Sequence, residues 1–318
     1  MRPKIGVNYM FFDKINLRKS GLLLYGITPP KVGTEESKIE NYAKKTVERI
    51  KNLNIDALII YDVQDESERI SDERPFPFLN ALDPLFFTER YLTDVNTSKI
   101  VYKPAGKFYP YELENWIKRV SFLRIHPVFV GIPSPDHQPK TSLLEAYEIY
   151  SKEEENIKLG GVAIPERHAA LQDEDQRIFA KVNNGVSFFI TQCVFDLDFS
   201  KKLIDSLVDY AEKNNQLIPT IIFTLTSCGS ERTLRFIEWL GIYIPQDMKN
   251  KLLQSPNILS DSVEICIHIA KELAAYCVER NIPFGFNIES VAIKKDEIES
   301  SIQMVNTIEQ ILKDYNLR

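Results

Sequence analysis

The sequence predicts an α/β protein, a single-domain (β/α)8 TIM barrel, and three observations carry that prediction. Eight short apolar runs recur along the 318 residues. An amphipathic segment follows nearly every run. The runs themselves are rich in β-branched and aromatic residues without strict alternation, as a strand buried on both faces requires. Strand and helix alternating in this way imply parallel pairing through right-handed crossovers. Eight such units close naturally into a barrel, although counting strands leaves a doubly wound open sheet as the alternative. The chain is longer than a usual single-core domain, but α/β barrels reach this length undivided.

The runs, in order, are LLLYGI (22–27), ALIIYDV (57–63), KIVYK (99–103), PVFVGI (127–132), GGVAI (160–164), SFFITQCVF (187–195), TIIFTL (220–225) and PFGFNI (283–288). Between the first two lies SKIENYAKKTVERIKNLN, in which Ile39, Ala43, Val47 and Ile50 recur at three- and four-residue spacing and give a helix one apolar stripe. YELENWIKRVSFL, EDQRIFAKVNN, FSKKLIDSLVDYAEKNN and SERTLRFIEWLG behave likewise. Two stretches break the rhythm. An insertion follows the second strand (about 65–98), charged at first and then rich in Pro and aromatics. An extra helical segment (about 241–281) precedes the eighth strand. The insertion suits a lid, an interface or simple packing, its Phe76, Phe78, Phe86 and Phe87 fitting packing best.

Composition narrows the function classes. The apolar fraction of 44% and charged fraction of 26% are those of an ordinary globular protein. A net charge of −6 offers no electrostatic reason to expect nucleic acid or an anionic membrane as partner. No run approaches the ~18 apolar residues of a membrane span. The first residues lack the apolar core and cleavage site of a secretory signal. Cys193, Cys228, Cys266 and Cys277 show no CxxC spacing and read as buried free thiols, so a cytoplasmic protein is expected.

In a barrel the loops after the strands build the site, so polar residues at strand C-termini matter most. They are Thr28 to Lys31, Tyr61 with Asp62, Lys103, Ser134 to His137, Glu166 with His168, Gln192, Thr224 with Thr226, and Asn287 with Glu289. Any one of these can simply cap the next helix, and a site needs several that converge. Familiar motifs are absent. There is no GxGxxG, no P-loop and no HExxH, and four scattered histidines argue against a dedicated metal site. Ser227 to Ser230 lack the GxSxG pattern of a nucleophile elbow. His126 and His268 read as core or surface residues.

Several segments together resemble the methylenetetrahydrofolate reductase family, whose members are flavin-dependent (β/α)8 barrels. ITPPK (27–31) resembles that family's FFPPK/R element. IPERHAALQDEDQRIFAKVNNGVSFFITQCVFD (164–196) resembles its signature from strand five through strand six, and is the most specific part. IPTIIF (218–223), GIYIPQDMKNKLL and EICIHIAKELAAYCVERNIPFGFNIES (264–290) parallel its closing region in order and spacing. The resemblance implies hydride transfer from NAD(P)H through FAD to the one-carbon bridge of a folate, with a carboxylic acid protonating the departing nitrogen.

Residue by residue, the resemblance places Gln192 on the pterin edge, where an amide both donates and accepts. It places His168, Glu174 and Lys181 along the ribose and diphosphate of FAD. Three departures stand against it. The family's acid falls on Gly26, the strand-four Arg-Gly-Asp is replaced by Gly131, Ile132 and Pro133, and Ile164 stands for an aromatic residue. A relocated proton donor is then expected among Glu166, Asp62, Glu289 and Asp136, with Glu166 first by its neighbourhood to His168. Two further readings stay open: a flavin-free reductase, and a non-catalytic folate- or nucleotide-binding barrel acting as homo-oligomer or partner subunit.

Overall fold

Side chains from alternate strand positions settle whether the sheet closes. Leu22, Leu24, Ile59, Val128, Phe188 and Ile222 pack against one another as an inner cluster, separate from the larger one formed under the helices. An open sheet would turn both faces to helices; here one face turns on itself. In the computed structural model, which describes residues 9–65, 72–131, 138–152, 156–291 and 294–318, the strands form a closed parallel barrel. They are β1 (Leu22–Ile27), β2 (Ala57–Ile60), β3 (Ser98–Pro104), β4 (His126–Val130), β5 (Leu159–Ala163), β6 (Val186–Cys193), β7 (Thr220–Thr226) and β8 (Phe284–Glu289). Closure is made by β8 on β1, with Leu22 opposite Gly285 and Gly26 opposite Glu289. The open-sheet alternative is thereby excluded.

Filling so narrow an interior requires large side chains to face small ones. A Cβ on Gly160 of β5 would stand 2.5 Å from the Phe188 ring, so glycine there is what lets that ring occupy the centre of the barrel. The floor is closed by α1 (Tyr9–Asn16), whose Phe11 meets Phe188 edge-on at 5.2 Å and His126 at 5.0 Å. Below it the buried Asp56 ties Lys14 (2.7 Å) to the backbone N–H of Leu23 (2.9 Å) and also pairs with Arg318. With the amino-terminal end plugged, only the carboxyl-terminal end can admit a ligand.

Around the barrel run α2 (Glu36–Ile50), α3 (Pro84–Tyr91), α4 (Pro110–Leu123), α5 (Leu143–Ser151), α6 (Pro165–Leu171), α7 (Glu174–Val182), α8 (Leu197–Asn214), α9 (Glu231–Trp239), α10 (Gln246–Gln254), α11 (Ile258–Glu279) and α12 (Lys295–Asp314). Their starts follow local chemistry. Asp196 and Ser230 accept the backbone N–H groups of Phe199 and Thr233 to begin α8 and α9.

Residues 72–82, after β2, form a strap. They bridge the β1–α2 loop through Val32 N to Asn80 O and Leu82 N to Pro30 O, both 2.8 Å. They reach α9 where Trp239 Nε1 donates to Asp72 O (3.0 Å) and Arg232 donates to Pro75 O (2.8 Å). The Arg74 guanidinium lies 5.0–5.2 Å from the ring centres of Phe78, Phe236 and Trp239. Among the described residues of the insertion, Phe76 and Phe78 therefore serve packing. All four cysteines are buried free thiols. No described helix is long and apolar enough to cross a membrane.

Candidate functional site

At the open end the inward face changes from aliphatic to polar. Tyr61, two residues past the inward Ile59, keeps its parity and enters the mouth, where its ring lies 4.8 Å from that of Tyr102 on β3. From β8 come Asn287 and Glu289. Asn287 Nδ2 donates to the Tyr61 hydroxyl at 2.8 Å and to Thr224 Oγ1 at 3.2 Å. Glu289 accepts from the Cys193 thiol at 3.3 Å and remains partly open to the mouth. Burial drives its carboxyl above the ordinary carboxylate range, and the neighbouring Tyr61 hydroxyl and Cys193 thiol hold back part of that rise. The Tyr61 and Tyr102 phenols and the Cys193 thiol are pushed up in turn, by burial and then by the charge of Glu289. A carboxyl whose pKa is raised by burial at the entrance is suited to carry a proton to a bound ligand.

Glu289 lies opposite Gly26 in the β1 register. A Cβ on Gly26 would come within 2.7 Å of the Tyr61 ring and 3.2 Å of Glu289 Cβ. The space a side chain at position 26 would use is filled from the two neighbouring strands.

Glu166 is set at the mouth by α6, which starts directly after β5. Its carboxyl is pushed up to about 7, first by burial and then by the charge of Asp196, and its Oε2 is enclosed without a protein partner. It also bears electrostatically on Cys193, as Glu289 does, so the two acids flank one thiol. Asp62 belongs elsewhere. It accepts from Gln64 (2.8 Å), and its charged neighbours are Lys103, Lys107 and Asp83, a set with no member in common with the Glu289 group. Lys103 in turn lies 3.7 Å above the Phe108 ring and 3.6 Å from Asp83. Asp136 lies outside the described residues.

Gln192 is displaced by an irregularity. The β6–β7 register shifts between Ile190 and Cys193, where Thr191 Oγ1 takes the Thr224 N–H at 3.0 Å. Strict alternation from Phe188 and Ile190 would send Gln192 inward. Instead Cys193 meets Glu289, while Gln192 Nε2 reaches Leu240 O at 3.2 Å. Cys193, read from sequence as a plain core thiol, was legible as a site residue only if that bulge could be foreseen. Tyr61 was legible by parity alone.

The remaining three residues stand behind β5. Glu174 is fully buried, its Oε1 accepting from Ile164 N (3.0 Å) and its Oε2 from Arg167 (2.9 Å). Lys181 Nζ donates to Val162 O (2.8 Å), and His168 Nε2 shares a hydrogen bond with Ser206 Oγ (2.9 Å). They join β5, α6, α7 and α8 rather than line the mouth.

The family model for methylenetetrahydrofolate reductase matches residues 147–303, from α5 into α12. A Clostridium thermocellum protein, described as binding two copies of 5-methyl-5,6,7,8-tetrahydrofolic acid, is 41% identical, with 94% of this chain and 99% of that one covered and a TM-score of 0.84. This chain belongs to the methylenetetrahydrofolate reductase family. No curated protein sequence matches it. The tryptophan synthase α subunit of Legionella pneumophila str. Paris is 12% identical over 97% of this chain and 98% of its own, with a TM-score of 0.52, a likeness of fold alone. Within the methylenetetrahydrofolate reductase family, this barrel carries its mouth acid on β8 and a glycine opposite it on β1.

Proposed function

We propose that this protein binds a reduced folate in the barrel mouth and reduces a methylene bridge to a methyl group, with hydride from NAD(P)H and a proton from Glu289. The observation that carries the reading is the Glu289 carboxyl, raised by burial and still partly open at the entrance. Family membership and the folate-binding relative support the substrate class.

In the proposed step Glu289 protonates the nitrogen leaving the methylene carbon, the C–N bond breaks, and hydride adds to that carbon. Methylenetetrahydrofolate, NAD(P)H and one proton become methyltetrahydrofolate and NAD(P)+. Tyr61 and Cys193 hold the carboxyl.

FAD does not fit the residues that the resemblance assigned to it. Both Glu174 oxygens and the Lys181 ammonium are committed to the barrel's own backbone and side chains, and His168 faces Ser206. A cation spent on a carbonyl inside the wall is not at hand for a diphosphate.

The test combines absorbance, binding and turnover on the purified protein. The expected result is a colourless preparation that binds 5-methyltetrahydrofolate and oxidises NADH or NADPH only with methylenetetrahydrofolate present. A band near about 450 nm that persists through purification would restore the flavoenzyme reading. Folate binding without turnover would leave a binding protein, and no folate binding would overturn the proposal.

A further inference from the structure

We infer that Tyr61 is the positioning residue of Glu289, and that Gly26 is the residue that lets it act. The inference deepens the reading of Glu289 as proton donor and rests on it, but its geometry stands by itself. To reach β8 from the end of β2, the Tyr61 side chain must cross β1. It crosses at Gly26, where an added Cβ would stand 2.7 Å from the ring carbon Cε2 and 3.3 Å from the hydroxyl. No larger residue fits there unless the ring leaves. On its other side the ring is backed by Tyr102.

Hydrogen-bond directions fix what the hydroxyl does. Asn287 Nδ2 has two hydrogens, and the structure gives one to Tyr61 and one to Thr224. With its oxygen accepting from Asn287, the phenol's own hydrogen is left to turn toward the neighbouring Glu289 carboxyl, whose pKa it lowers. The Cys193 thiol approaches Glu289 Oε1 from the opposite wall. The carboxyl is thus gripped by donors from β2 and β6 while it remains partly open to the mouth. The ionisable groups around it are Tyr25 of β1, Tyr61, Tyr102 of β3 and Cys193, with Glu166 of α6 acting on the thiol. Among these, Tyr61 and Cys193 donate to it directly.

A donor to a carboxylate favours the charged form, so losing one raises the pKa. The test is a pH titration of the protonated carboxyl stretch by infrared difference spectroscopy on the whole protein. Glu289→Gln assigns the band by removing it. Tyr61→Phe, which keeps the ring, is expected to move the midpoint upward by about one unit. Gly26→Ala removes no hydrogen-bonding group, yet it is expected to shift the midpoint in the same direction by displacing the ring. A midpoint unmoved in Tyr61→Phe overturns the positioning role. A midpoint moved by Tyr61→Phe but not by Gly26→Ala overturns the part given to Gly26. Binding of 5-methyltetrahydrofolate, followed separately in the wild type, reports on the proposed function. Its absence would remove the folate reading and leave the titration to decide the Tyr61–Glu289 relation.

Discussion

Two buried polar groups flank this barrel, and they differ in how their hydrogen bonds are spent. Behind β5, Glu174, Arg167, Lys181 and the backbone of Ile164 and Val162 pair with one another, while His168 Nδ1 and Asp175 Oδ1, 3.8 Å apart, make no hydrogen bond. At the mouth, Glu289 and Glu166 are raised by burial; one is partly open and the other keeps an oxygen without a partner. Glu174 of the first group is paired at both oxygens and fully buried, whereas of the mouth acids Glu166 keeps an oxygen without a partner and Glu289 is partly exposed. Burial of charge is common to both, so burial alone does not mark a site; unspent capacity at an entrance does.

The sharpest way to break the comparison is to remove the mouth acid. Glu289→Gln is expected to lower kcat by about 10²–10⁴-fold, the usual worth of a general acid. Thermal stability should change little, because the amide still fills the space. Turnover preserved in steady-state assays would show the mouth group to be as structural as the other. The reverse is expected of Glu174→Ala. It strips Ile164 N of its acceptor and leaves Arg167 unpaired, at a cost of roughly 3 kcal/mol in urea unfolding, moderated because Arg167 is partly exposed. The folded fraction should bind folate as the wild type does.

Glu166 sharpens the comparison through pH. Its folded pKa, about 7, lies above its ordinary value of 4.5, so the folded state holds the proton more tightly than the unfolded chain. Its contribution to stability is complete below about pH 4.5 and lost as pH rises toward and through 7. Glu166→Gln cannot titrate and should flatten that fall, gaining about 3 kcal/mol on the wild type at pH 8. Denaturant midpoints across pH 4–8 check this, and parallel curves for the two proteins would deny Glu166 its raised pKa.

The fold was legible because β-rich runs and amphipathic helices repeat eight times; closure was not, because Leu22, Leu23 and Leu24 are alike in sequence and only packing divides them between the inner and outer clusters. The site was legible only in part. Glu289 and Glu166 end strands or open helices, as sequence position implies. Asp62 also ends a strand, but on the parity that faces the helices, so it meets Lys103 instead of the mouth. Gln192 and Cys193 exchange roles through one register shift, a feature of backbone pairing that residue types do not announce. The block containing His168, Glu174 and Lys181 reads as a binding signature only through its resemblance to the family. Two of their partners, Ile164 N and Val162 O, are backbone groups, which no side-chain pattern reveals.

Lys181→Met gives the smallest expected effect and the most direct trial of the closed group. The ammonium makes one hydrogen bond, to Val162 O, and sits in a buried setting that lowers its pKa chiefly by desolvation. Methionine retains most of the aliphatic packing but leaves that carbonyl without its donor. Loss of a single hydrogen bond, partly offset by relief of a desolvated charge, amounts to about 1 kcal/mol. If Lys181 instead faced a dinucleotide phosphate, the variant would keep its stability and lose affinity for FAD or NAD(P)H. Thermal unfolding and nucleotide titration, run side by side, separate a cation that braces β5 from one that waits for a ligand.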